Sequence, residues 1–260
     1  MTKRKQILIV DVETNHEQKV FDIGLLVGDL YGNVAEMQQF IIEEVFPEHL
    51  FWEKKRPDYL AVIGDKSHPA KMVSVEKAFK EIEILIEKYN IKTMYAYNAS
   101  FDSRTINNLA EEFKVPNPLK NLEIDCLWFW SAQTIFQQKA FKKWADKNYQ
   151  YTMTEKGNYK TSAEIAYAFM KNEPQFEEVH RGLEDCLIEY EIFLKCRKQR
   201  KLRVKGICHN AWILVQDEEQ ILKLPKQFQT MKLQLETQIE KAQQVANRLN
   251  KPLAATLEMA

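Results

Sequence analysis

The sequence predicts an α/β protein built on a mixed sheet flanked by helices, with a helical appendage at the C-terminal end. Three observations predict it. Three β-rich runs stand near the start, at residues 7–10, 20–29 and 34–42, and "DLYGNV" supplies a Gly-Asn turn between the second and third. Beyond them the apolar spacing switches to a helical period, and helices alternate with further short strands. After about Arg200 the alternation stops and a long polar helix takes over.

Each element has its own signal. "VEKAFKEIEILIEKY" (75–89) sets Ala78, Phe79, Ile82, Leu85 and Ile86 at helical spacing behind Ser74, a suitable N-cap. "KTMYAYN" reads as a strand, followed by a helix over about 103–113 that "VPNP" ends. "YQYTMTEKGNYKTS" has the character of a hairpin closed near "EKGN", and "SAEIAYAFM" that of a helix. Residues 184–198 form a strong helix with Leu187, Ile188, Ile192 and Phe193 on its apolar face. In the last part, "AWILV" is β-like, and residues 226–249 form a helix with a narrow stripe of Phe228, Met231, Leu235, Ile239, Ala242 and Ala246. The expected division is a domain over 1–200 and an extension over 201–260. That extension opens on the end of a basic run, "RKQRKLRVK", and carries the amphipathic helix.

Composition bounds the function. Of the 260 residues, 45% are hydrophobic and 28% charged, ordinary for a soluble globular protein. No apolar run approaches the roughly 20 residues of a membrane span, and "MTKRKQILIV" reads as a strand rather than a signal peptide. A cytoplasmic location with no membrane partner is expected. Cys126, Cys186, Cys196 and Cys208 form no CxxC pair, so reduced core thiols are expected rather than zinc or disulfides. With a formal net charge of zero, affinity for a polyanion has to come from local patches or bound metal.

Chemistry concentrates in three short stretches. In "ILIVDVETN" the side chains of Asp11 and Glu13, two residues apart in a strand, share one face while Val12 points away. Two carboxylates so close must raise a pKa, find a cation or sit in open water. In "NASFD" Asp102 opens a helix, where the macrodipole alone already favours an acid. In "HRGLED" His180 stands five residues before Asp185. Five residues of helix rotate by roughly 140°. His180 is therefore placed in the loop entering the helix, with Gly182 allowing the bend.

Taken in this order, the three stretches resemble the DEDDh family of 3′→5′ exonucleases, which includes the proofreading subunit of bacterial DNA polymerase III, ribonuclease T and oligoribonuclease. The resemblance rests on D-x-E-T at Asp11, Val12, Glu13 and Thr14, on N-A-x-F-D at Asn98, Ala99, Ser100, Phe101 and Asp102, and on H-x-x-x-x-D at His180 and Asp185. It covers about 7–194. The sister group with Tyr for His uses a four-residue spacing, and Arg181 occupies that position here. The chain departs from the pattern at Asn15 and His16, where T-T-G is frequent. It departs again at Tyr97 and Gly182, where His and Ala are common.

The resemblance implies a ribonuclease H-like, mixed five-stranded sheet and two divalent ions, Mg²⁺ or Mn²⁺, held about 4 Å apart by Asp11, Glu13, Asp102 and Asp185. Asp11 would serve both ions, Glu13 and Asp185 the one carrying the attacking water, and Asp102 the other. His180 would be the general base, because imidazole titrates near neutral pH. Val12, Thr14, Asn98 and Phe101 would contact substrate.

The implied reaction is 3′→5′ hydrolysis of single-stranded or frayed nucleic acid, DNA favoured and RNA the alternative, releasing nucleoside 5′-monophosphates. The other classes are a non-catalytic nucleic-acid-binding module and an assembly protein that docks a polymerase, or a second copy of itself, through the C-terminal helix. Clustered acids that repel phosphate argue against binding alone. His16, His49, His68 and His209 read as structural or exposed, Asp22 and Asp125 as strand-end or turn acids, and Trp128, Trp130 and Trp144 as core. Phe101 reads equally well as core or as a base-stacking ring.

Overall fold

Ile7–Val10 and all of Val20–Asp29 are buried, as residues must be in central strands covered on both faces. The computed structural model describes residues 5–46, 57–65, 67–199 and 203–257. Among them six strands form one sheet: β1 (Gln6–Thr14), β2 (Val20–Asp29), β3 (Val34–Ile42), β4 (Ala70–Val73), β5 (Thr93–Ala96) and β6 (Glu123–Cys126), in the order β4-β3-β2-β1-β5-β6. β1, β2 and β3 pair antiparallel, whereas β1–β5, β3–β4 and β5–β6 are parallel.

This is the expected mixed α/β sheet with one strand more. β4 escapes sequence reading because it has four residues, of which only Val73 is buried, so no alternation develops.

The helices are α1 (Pro57–Gly64), α2 (Val75–Tyr89), α3 (Ala99–Phe113), α4 (Leu127–Gln133), α5 (Lys139–Lys147), α6 (Tyr149–Thr152), α7 (Ala163–Lys171), α8 (Gly182–Lys198), α9 (Glu218–Leu222) and α10 (Lys226–Leu257). Ser74 caps α2 by accepting from the Lys77 N–H. Among the described residues no helix is long and apolar enough to cross a membrane.

The chain divides into two compact units, Met1–Leu127 with Glu177–Leu194, and Trp128–Phe176 with Lys195–Ala260. The first holds the sheet. Onto it packs α8, whose Cys186 Sγ lies 3.7 Å from the Ile9 carbonyl and whose Phe193 ring meets Tyr95 edge-on at 4.8 Å.

In the second unit Phe141 is fully buried against Phe136, Phe169 and Trp144, and Trp128 donates to Thr161 at 2.9 Å. Trp130 is buried, while Trp128 and Trp144 are half-buried. "AWILV" is a 3₁₀ turn (Ala211–Val215) rather than a strand. A short apolar run has the same pattern in either form. The expected hairpin begins with the helical turn α6 and keeps a single bridge, Met153 to Tyr159, closed through Gly157 at φ 74°. Of the basic run, Arg200 and Lys201 lie outside the described residues, and the Arg203 guanidinium stacks 3.7 Å above the Trp130 ring centroid.

One contact fixes how α8 meets the sheet. A Cβ on Gly24 of β2 would lie 2.0 Å from the Gly182 carbonyl carbon and 2.5 Å from the Leu183 nitrogen, both backbone atoms. At Gly28 a Cβ would instead meet the Tyr190 ring, 2.5 Å away. Overpacking costs about 1–3 kcal/mol where side chains can shift, and more where only backbone can. Gly24→Ala is therefore expected to destabilise the protein by about 3 kcal/mol or more, and Gly28→Ala by less, in urea unfolding. A Gly24→Ala protein as stable as wild type would refute the contact.

Candidate active site

β1 and β5 run parallel, Leu8 beside Met94 and Ile9 beside Tyr95, so their carboxyl ends open at the same edge of the sheet. Both strands end in acids or lead to one. Asp11 and Glu13 project from the end of β1 on the face opposite Val12, whose side chain is buried. The pairing with β2 slips between Glu13 and Thr14, a bulge-like irregularity of the kind that re-aims side chains beside functional sites. Asp11 Oδ2 is buried with no hydrogen-bond partner. Burial first, then the charges of Glu189, Asp102, Asp185 and Glu13, push the Asp11 carboxyl well above the usual carboxylate range.

Asp102 arrives from β5 through a tight turn. Asn98 takes φ 63° and ψ 46°, a left-handed conformation that Asn tolerates better than most residues. The Phe101 N–H bonds back to the Asn98 carbonyl at 2.7 Å, so α3 begins at Ala99, four residues earlier than the sequence suggests. Asp102 is thus in the first turn, 2% exposed. Its Oδ1 accepts the Val12 N–H at 3.3 Å, and its Oδ2 is buried without a partner. Burial pushes this carboxyl up to about 8, against the backbone N–H groups of Asp102 and Val12 that pull it down.

The third piece is the entrance to α8. His180 lies in the preceding loop, as its spacing requires, but the bend is taken by His180 itself at φ 55° and not by Gly182. Gly182 is needed for a different reason, its approach to Gly24, which pairs with Asp11 in the sheet.

A buried clamp holds the loop. Asp22 Oδ2 accepts the Gly182 N–H at 3.0 Å, the Tyr59 hydroxyl at 2.7 Å and the Gln39 amide at 2.7 Å, and the same hydroxyl lies 3.3 Å from the His180 carbonyl. Asp22, Gln39 and Tyr59 are fully buried. Burial raises the Asp22 carboxyl to about 6, and those donors limit the rise.

Asp22 is therefore not a strand-end acid. It occupies the third position of β2 and secures the loop that carries His180.

Glu13, His180 and Asp185 offer ligand atoms that all lie within 4.8 Å of one another. His180 Nδ1 stands 4.0 Å from Asp185 Oδ2; the imidazole is exposed and the carboxylate buried. Glu184, adjacent in sequence, turns away to Arg181 and to His68, whose Nε2 is 3.7 Å distant.

Thr14 and Phe101 are half-buried, Asn98 is exposed, and the Arg104 guanidinium lies 5.9 Å from the Phe101 ring centroid. Sequence reading missed Tyr59 and Glu189. For Tyr59 no local pattern exists, whereas Glu189 was detectable as an acid one helical turn after Asp185.

These residues fit a divalent cation. Buried carboxylate oxygens on Asp11 and Asp102 lack donors, and hard oxygen ligands are what Mg²⁺ and Mn²⁺ prefer.

No family model and no curated protein matches the chain. Among solved structures it is similar to the nuclease domain of 3'hExo, a DEDDh family member bound to rAMP, with TM-score 0.49 and 10% identity over 80% of this chain and 99% of that one. It is also similar to cell-death related nuclease 4 (CRN-4), with TM-score 0.47 and 11% identity over 76% of this chain and 65% of that one.

Proposed function

We propose that the protein is a metal-dependent 3′→5′ exonuclease that hydrolyses phosphodiester bonds at a single-stranded or frayed 3′ end and releases nucleoside 5′-monophosphates. The observation that carries this reading is the convergence of Asp11, Glu13, Asp102 and Asp185, from one strand end and two helix starts, beside one exposed imidazole. Acids gathered this way serve phosphoryl chemistry better than they serve stability. In the absence of a cation they repel one another in a buried setting and would also repel a phosphate backbone.

Asp11, Glu13, Asp102 and Asp185 would hold two divalent ions, Mg²⁺ or Mn²⁺. When bound, such ions activate water and neutralise charge on the phosphoryl and leaving oxygens. The chain's own residues do the rest. His180 accepts the proton of the attacking water, and the Asp185 carboxylate 4.0 Å from its Nδ1 stabilises the imidazolium that results. The Asp22–Tyr59–Gly182 clamp keeps the imidazole at its station, which spares the reaction the entropy of ordering that loop. Phe101 offers a ring to the terminal base, and Asn98 and Thr14 offer polar groups to the 3′ nucleotide. The Val12 N–H already serves Asp102, so any contact Val12 makes with substrate runs through its carbonyl.

Time courses on 3′- and 5′-labelled single-stranded DNA, duplex DNA and RNA, with Mg²⁺, Mn²⁺ or EDTA, test the activity and its sugar preference together. Activity is expected with either cation and none in EDTA. Asp11→Asn should lower turnover by orders of magnitude while the protein stays folded, since a buried like-charge repulsion disappears along with the ligand. Undiminished hydrolysis in EDTA overturns the proposal.

His180→Ala is expected to lower kcat by about 10²–10⁴-fold with little change in affinity for a 3′ end. Loss of binding with kcat intact would make His180 a substrate contact. Tyr59→Phe removes a single hydroxyl from the clamp, so it should cost about 1 kcal/mol of stability and lower kcat while Mn²⁺ affinity is unaffected. An unchanged kcat would separate the clamp from catalysis.

A further inference from the structure

Helix α8 carries a second buried acid that the proposed chemistry does not use. Glu189 follows Asp185 by four residues, so the two share one face of the helix. It is 2% exposed. Its Oε1 accepts the Tyr97 N–H at 2.9 Å, at the end of β5, while its Oε2 is buried with no hydrogen-bond partner. Of the acids that act on Asp11, Glu189 acts most strongly, ahead of Asp102, Asp185 and Glu13. Of the acids that act on Glu189, Asp102 is foremost, ahead of Glu178 and Asp185. Glu189 therefore stands among Asp11, Asp102 and Asp185, with one oxygen spent on the backbone and the other unanswered.

Accepting one N–H does not require a charge. A glutamine would do it without placing a further carboxylate beside three others, where removing each ion from water costs several kcal/mol. The feature a glutamine lacks is the second anionic oxygen. Unpartnered buried oxygens also stand on Asp11 and Asp102, so the cluster as a whole is short of positive charge.

We propose that Glu189 is a fifth carboxylate of the cation site, its Oε2 helping to retain the cation bound by Asp11 and Asp102 while its Oε1 secures the turn from β5 into α3. This rests on the nuclease reading. Glu189 then has two tasks on one side chain: it adds negative charge where the cation needs it, and it ties α8, which brings Asp185, to the turn that brings Asp102.

The test is Mn²⁺ binding by the full chain without nucleic acid, followed by electron paramagnetic resonance of the free ion, with thermal unfolding in the presence and absence of Mn²⁺. Glu189→Gln keeps the acceptor for Tyr97 and removes the charge. It is expected to weaken Mn²⁺ binding by about tenfold or more, to raise the Tm of the metal-free protein and to shrink the rise in Tm that Mn²⁺ produces. Glu189→Asp keeps the charge but shortens its reach, and should also weaken Mn²⁺ binding. It serves as the reading if Glu189→Gln does not fold.

Wild-type Mn²⁺ affinity in these variants overturns the inference. Asp11→Asn separates it from the reading beneath it. If Asp11→Asn loses Mn²⁺ and the Glu189 variants do not, Glu189 is structural and the nuclease reading stands. If wild type binds no Mn²⁺, or Asp11→Asn binds it as wild type does, both fail.

Discussion

The close approach of Gly182 to Gly24 is the constraint on which the site depends. α8 can bring Asp185 and Glu189 to the end of β1 only because its first residue lies directly against β2, where no side chain intervenes on either partner. Gly24 pairs with Asp11 across the sheet, and a Cβ on Gly182 would lie 3.1 Å from the Asp11 carbonyl oxygen. The helix start and the strand end are thus registered to each other by backbone atoms, which cannot rotate away as side chains can. Asp22 completes the fit by accepting the Gly182 N–H, one of the donors that a helix start leaves unpaired.

That geometry forces charges together at a cost the fold meets elsewhere. Asp11, Asp102 and Glu189 all have carboxyls raised by burial, and mutual repulsion adds to it. Few donors answer them: the Val12 N–H reaches Asp102 and the Tyr97 N–H reaches Glu189. The apolar neighbours supply the compensation, through fully buried Leu8, Ile9 and Val10 in β1, the wholly buried β2, and Cys186, Tyr190 and Phe193 on α8. A stable core carrying a destabilised cluster is the usual arrangement where function and stability compete.

Much of this was legible in the sequence, for reasons that differ between elements. The β1–β3 meander and α2 were readable because long apolar runs, a Gly-Asn turn and a Ser N-cap all point the same way. That Asp11 and Glu13 share a face, and that His180 lies in the loop before α8, followed from strand alternation and helical rotation, which are local rules; grouping them with Asp102 and Asp185 rested on the family resemblance. β4 and the 3₁₀ turn at Ala211–Val215 were not readable, because four or five residues support either period. The clamp was hidden for another reason: Tyr59 and Gly182 are separated by 37 and 160 residues along the chain from Asp22, the acid they share, and only tertiary packing relates them. Asp22 reads in the sequence as a strand-end or turn acid because its significance depends on the Tyr59, Gln39 and Gly182 donors that packing brings to it.

His180 illustrates how local strain and global packing cooperate. A non-glycine residue at φ 55° is held against an intrinsic preference worth roughly 1–3 kcal/mol, and such a conformation persists only where the surroundings over-determine it. Here they do so from the carbonyl side of the residue. The Tyr59 hydroxyl lies against the His180 carbonyl, and two residues later the Gly182 N–H is fixed to Asp22. Backbone restraint leaves the imidazole itself exposed while its Nδ1 stays near Asp185. The role of proton acceptor proposed for His180 would need both conditions at once, an imidazole open to solvent and yet positioned relative to a buried carboxylate. Gly182 serves the contact with Gly24, while His180 takes the left-handed bend. Placing the left-handed residue at His180 separates the two tasks.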